Sequence, residues 1–135
     1  MGAYCGAEGI APALVLCSTA RRARETLARL APHLAGAGRI EFEEGLYLAS
    51  STELLRRLRR LADSVRSVML IGHNPGMHEF ALLLCGGGDA AALARLRGKY
   101  PTTALAEIVL TIDRWRDANA DQGRLARFVA PRELP

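Results

Sequence analysis

Ala13-Leu14-Val15-Leu16-Cys17-Ser18-Thr19-Ala20-Arg21-Arg22 joins a strand signal directly to a helix signal. Residues 13–17 form a short unbroken apolar run, the pattern of a strand buried on both faces. Ser18 is a good helix N-cap, and Ala20, Ala23, Leu27 and Leu30 behind it fall on one helical stripe. Pro32 and the Gly36-Ala37-Gly38 turn end that helix.

The same hand-over recurs downstream. Residues 67–71, Ser67-Val68-Met69-Leu70-Ile71, read as a second strongly buried strand running into Gly72-His73-Asn74-Pro75-Gly76. Asn at the cap and Pro at the first helical position predict a helix start, with Met77, Phe80, Ala81 and Leu84 as its buried stripe and Gly86-Gly87-Gly88 as its break. Between the two units lie a brief strand over 40–42, a loop through 43–47 and a helix over 52–62. A short helix over 89–97, the Pro101-Thr102-Thr103 segment and a strand over 104–112 follow. Asp121-Gln122-Gly123 reads as a hairpin turn into an antiparallel edge strand over 124–129. Strands alternating with helices predict an α/β domain, three-layered, with a mostly parallel sheet flanked by helices, spanning 1–135 as one unit.

With 135 residues, half of them apolar and 5% aromatic, the chain has the size and composition of one aliphatic core. No run approaches the roughly 20 apolar residues of a membrane span, and the start lacks a secretory pattern, so the expectation is a cytoplasmic protein with no membrane partner. Cys5, Cys17 and Cys85 are widely spaced with no CxxC, which argues against a disulfide framework and against a metal site. The formal charge of +4 invites a nucleic-acid reading. However, Arg56, Arg57, Arg59 and Arg60 alternate with Leu55, Leu58 and Leu61 as the solvated face of an amphipathic helix, and no aromatic residues are interleaved to stack bases. A nucleic-acid partner is therefore not expected.

Chemistry concentrates at the two strand ends. His73 sits where unpartnered backbone N–H groups of a helix start attract anions, and its imidazole can hydrogen-bond a phosphoryl oxygen. Arg22 lies in the first turn of the earlier helix, where a guanidinium can grip two phosphoryl oxygens at once. The other histidines read differently: His33 as structural or exposed, His78 as pointing outward from its helix. Cys17 has no phosphate-cradling glycine loop after it and reads as a buried inert thiol. Glu43 and Glu44 read as surface charges.

These residues resemble the histidine phosphatase superfamily. Ser18 to Thr26 is similar to its S-x-x-x-R-A-x-x-T element and Val68 to Gly76 to its G-H-x-P-G element. The finer resemblance is to SixA-type phosphohistidine phosphatases, whose L-V-L-C-S-x-A-x-R-A-x-E-T, L-Y-x-A-S, G-H-N-P-G and P-T-x-A segments are similar to Leu14–Thr26, Leu46–Ser50, Gly72–Gly76 and Pro101–Ala104. The resemblance runs from Met1 to Pro131. It implies a phosphoglycerate mutase-like fold and phosphoryl transfer to a histidine of an Arg-His-Gly sequence on the first strand, followed by hydrolysis. It also implies Arg22 and His73 as catalytic and phosphate-binding residues, Asn74 beside them, and Ser18, Thr102 and Thr103 as candidates for the site rim. No cofactor or metal is implied, and the substrate is a phosphorylated protein or a small phosphorylated molecule.

One element of that family is missing from the sequence. The histidines are His33, His73 and His78, and no Arg-His-Gly occurs among the 135 residues. The expectation is an N-terminally incomplete domain without its first central strand, inactive alone, whose exposed sheet edge can pair with another copy. Two alternatives stand beside it: a non-catalytic module that binds phosphate or a phosphoprotein, and a basic interaction module in which the site residues are relics.

Overall fold

The computed structural model describes residues 1–135 apart from Ala35 and Ala37, so the turn expected at Gly36-Ala37-Gly38 lies partly outside the described residues. The chain divides into two compact units: residues 1–49 with 64–73, and residues 50–63 with 74–135.

The first unit is built around β1 (Leu14–Ser18), every residue of which is buried. Helix α1 (Gly2–Ala7) precedes it, and α2 (Arg21–Leu30) follows, turning Ala23 and Leu27 inward. A 3-10 turn over Ala31–His33 closes α2. Strands β2 (Arg39–Glu43) and β3 (Val68–Ile71) pair with β1 on either side, both parallel, in the order β2-β1-β3. Leu16 lies between Glu41 and Leu70 in this register. The central place of β1 explains its complete burial. The strand expected to be strongly buried over 67–71 is less so: Val68, Met69 and Leu70 are half-buried and only Ile71 is fully covered, because β3 is an edge strand paired by β1 alone.

In the second unit, α3 (Ser51–Arg59) starts with a capping box. The Ser50 hydroxyl receives the Glu53 N–H, and the Glu53 carboxylate receives the Ser50 N–H, which holds the Glu53 carboxyl below its usual range. Leu54, Leu55 and Leu58 face inward. The arginine face is not wholly solvated as expected: half-buried Arg59 donates through Nε to the Ala118 carbonyl at 2.8 Å. Helix α4 (Gly76–Leu84) buries Phe80, Ala81 and Leu84, and α5 (Ala90–Gly98) is capped by Asp89, whose carboxylate receives the Ala92 N–H.

Three expectations about the second sheet need correction. The triple glycine does not simply break the chain: Cys85–Gly88 is strand β4, parallel to β6 (Gly123–Val129). Gly86 passes so close to the Asp121 carbonyl that a Cβ would collide with it, which is why a side-chain-free residue can form a strand here. Strand β6 is antiparallel to β5 (Leu105–Leu110), as expected, but it is the central strand in the order β4-β6-β5 rather than an edge. The link from β5 to β6 runs through a 3-10 turn over Trp115–Asp117 instead of a tight hairpin. Leu96, Leu125 and Phe128 form the core of this unit with Ala81 and Ala92. Among the described residues no helix is long and apolar enough to cross a membrane.

Candidate active site

Parallel pairing puts the C-terminal ends of β1 and β3 side by side, with Cys17 opposite Ile71. The next residue of β1 is Ser18, and two residues beyond Ile71 is His73. The Ser18 Oγ and His73 Nε2 are 2.8 Å apart, a hydrogen bond between groups 55 positions distant in sequence. Ser18 is not the helix N-cap expected of it. Ala20 holds that position without a side-chain cap, and Ser18 is the last strand residue, fully buried, its Oγ also receiving the Ala20 N–H at 3.2 Å.

A third residue joins them that the sequence reading did not place in the site. The Tyr47 ring stands edge-on to the His73 imidazole, centroids 5.3 Å apart and planes at 81°. A 3-10 turn over Glu44–Leu46 delivers it. Leu46 and Ala49 are buried as anchors, and Tyr47 between them is left exposed on the site side. Leu46-Tyr47-Leu48-Ala49-Ser50 shows an aromatic residue among apolar ones, but only the fold brings its ring to His73.

Arg22 is in the first turn of α2 and exposed, as expected. Its neighbour Arg21 is tied to Glu25 at 2.9 Å. Among the described residues Arg22 has no such acidic partner, so its guanidinium is open to an anion. Free cation, helix start and hydrogen-bonded imidazole are together suited to a multiply charged oxyanion.

The remaining candidates belong to the second unit. Asn74 is not the helix N-cap either; Pro75 takes that place, after a cis Asn74–Pro75 peptide. The Asn74 amide is committed at both ends, receiving the His78 N–H at 3.2 Å and donating to the Tyr100 carbonyl at 2.8 Å, and so ties the start of α4 to the segment before Pro101. Thr102 and Thr103 are exposed in that segment, and the Thr103 hydroxyl donates to the Thr102 carbonyl. His78 does not point outward: half-buried, it meets the Leu96 carbonyl through Nε2 and packs its ring on Tyr100. His33 is exposed beside α1, where its ring stands against Gly2.

Cys17 is buried, and burial pushes its thiol up to about 11 against a small opposing pull from Arg24. It is therefore a neutral thiol and no nucleophile at neutral pH. The folded state holds this proton more tightly than the unfolded one, so the contribution is fully present below the ordinary cysteine value of 9.0 and is lost as pH rises from there toward about 11. Brief iodoacetamide treatment of the native protein near pH 8, about the ordinary thiol range, leaves Cys17 unmodified by peptide mass mapping, while denatured protein is alkylated there. A native-state adduct on Cys17 would contradict this.

No family model matches the chain. Three curated relatives do. Uncharacterised proteins of two Mycobacterium tuberculosis strains, CDC 1551 and H37Rv, are each 33% identical over 120 residues, covering 87% of this chain and 73% of theirs. One of Mycobacterium leprae is 32% identical over 119 residues, covering 87% of this chain and 71% of its own. Among solved structures, a candidate phosphohistidine phosphatase SixA from Agrobacterium tumefaciens matches with TM-score 0.77 and 28% identity over 96% of this chain and 75% of that one. A protein histidine phosphatase SixA complexed with tungstate matches with TM-score 0.74 and 21% identity, covering 99% of this chain and 78% of that one. The likeness shows the α/β fold with a parallel sheet flanked by helices.

Proposed function

We propose, from the premise that this chain belongs to one family with the three mycobacterial proteins and has the SixA phosphohistidine phosphatase fold, that its site binds the phosphoryl group of a phosphohistidine protein or small phosphorylated molecule. The observation that carries the reading is the hydrogen bond from the end of β1 to His73. It fixes an imidazole at the carboxyl ends of two parallel strands, beside a helix whose first turn carries Arg22, which has no acidic partner among the described residues. Ligands of open parallel sheets sit at such strand ends. The solved SixA relative that holds tungstate, a tetrahedral oxyanion of phosphate shape, supports the same reading.

In the reaction that the family resemblance implies, the phosphoryl group leaves its substrate for an imidazole nitrogen of an Arg-His-Gly histidine and then passes to water. His73, held by Ser18, would serve as a donor fixed in advance, and the guanidinium of Arg22 would meet negative charge as it gathers on the equatorial oxygens. The second reading, binding without turnover, is favoured by a specific observation. His78 is engaged by the Leu96 carbonyl, and the exposed His33 sits on the 3-10 turn beside α1 rather than with Ser18 and His73. The 135 residues on their own therefore bind the oxyanion without turning it over.

The test is thermal unfolding of the 135-residue chain with inorganic phosphate or tungstate, together with a phosphohistidine hydrolysis assay. Stabilisation of about 2.7 kcal/mol is expected at roughly 100 times Kd, without hydrolysis. Indifference of the unfolding curve to both anions overturns the phosphoryl-site reading, and turnover by this chain overturns the reading of binding alone.

A further inference from the structure

Ser18 has none of its surface exposed. Its Oγ has two hydrogen-bond neighbours among the described residues, the Ala20 N–H at 3.2 Å and His73 Nε2 at 2.8 Å. A serine hydroxyl has one proton to give and two lone pairs to receive. The Ala20 N–H can only donate, so it fills one lone pair. The hydroxyl proton then has one acceptor within reach, the Nε2 lone pair of His73. No water reaches a fully buried hydroxyl as a substitute, and a buried donor without an acceptor is strongly disfavoured.

We infer that Ser18 donates its hydroxyl proton to His73 Nε2 and so holds the neutral imidazole in the Nδ1–H tautomer, opposite to the one a free histidine side chain favours. The consequence for binding rests on the phosphoryl-site reading: Nδ1–H is then the one N–H that neutral His73 has to offer an oxyanion. Ser18 is thus a positioning residue that acts through His73. The second nitrogen of a histidine is commonly set in this way by the hydrogen bond at the first. Tyr47, edge-on against the same ring, adds an aromatic contact to the hydrogen bond.

His78 is a control within the same chain. A carbonyl can only accept, so the Leu96 contact requires a proton on His78 Nε2, the opposite tautomer.

The experiment is a two-bond proton–nitrogen correlation spectrum of the isotope-labelled full chain, recorded above the ordinary imidazole range of about 6.5. The ring signals are assigned with His33→Gln and His78→Gln. His73 should show a protonated Nδ1 and a bare Nε2, and His78 the reverse. In Ser18→Ala, His73 should shift toward the Nε2–H form, and Ser18→Thr, which restores a hydroxyl, should bring Nδ1–H back. If Ser18→Ala loses the dispersed amide spectrum of the folded chain, Ser18→Cys is read in its place. A native His73 protonated on Nε2 overturns the inference, as does a Ser18→Ala spectrum with the His73 tautomer unchanged. Tungstate is then added to the same samples. An Nδ1–H ring that ignores tungstate sinks the phosphoryl-site reading while the Ser18 assignment stands; a ring that responds while carrying Nε2–H does the opposite.

Discussion

Leu16→Ala lowers the free energy of unfolding by about 2–5 kcal/mol, a large share of the roughly 5–15 kcal/mol that a domain of this kind possesses. Leu16 is wholly buried at the middle of β1, between Glu41 of β2 and Leu70 of β3. With strands on both sides, its neighbours cannot easily close over the volume lost, so the cavity adds to the loss of apolar burial. Ile40→Ala is the comparison. Ile40 lies on the edge strand β2 with 43% of its surface already open, and its truncation costs under about 1 kcal/mol. Urea denaturation followed by circular dichroism checks both variants. Equal losses would mean that the β2-β1-β3 sheet does not have β1 at its centre.

His73→Ala and Arg22→Ala each weaken tungstate binding by about ten- to a hundredfold, while Arg21→Ala leaves it unchanged. A hydrogen bond to a charged group contributes about 1.5–3 kcal/mol, and each 1.4 kcal/mol is a factor of ten. Arg21 and Arg22 carry the same charge at adjacent positions, but Arg21 is occupied by Glu25. Attraction by overall positive charge would make the two arginine variants alike. A specific grip separates them, and isothermal titration calorimetry at fixed salt reads the difference. Equal weakening by Arg21→Ala would dismiss the site in favour of a diffuse basic surface.

Much of this architecture was legible in the residue order. The unbroken apolar run before Ser18 marked a strand buried on both faces, and every residue of β1 is buried. Gly72-His73-Asn74-Pro75-Gly76 marked a strand-to-helix turn, and the strand and helix stand on either side of it. What escaped was set by contacts between distant residues. Ser18 reads locally as a cap, yet its hydroxyl is recruited by a histidine 55 positions away. Asn74 likewise reads as a cap but is spent on the Tyr100 carbonyl and the His78 N–H. The triple glycine reads as a break, because local propensity cannot show that the Asp121 carbonyl passes close enough to exclude a side chain. Tyr47 was missed for a related reason: its ring matters only where the chain brings it to His73.

The pairing of β1 also orders events in time. Both its partners are synthesised after it, β2 some 25 residues on and β3 across 54, the separation of Ala13 from its bonding partner Ser67. As the chain leaves the ribosome, the four apolar positions Leu14–Cys17 therefore wait without a ladder until β2 has emerged, and without their second one until residue 71 has. During that interval the nascent segment is open to strangers, and helix α2, which forms locally and carries its own apolar stripe, is a cover close at hand.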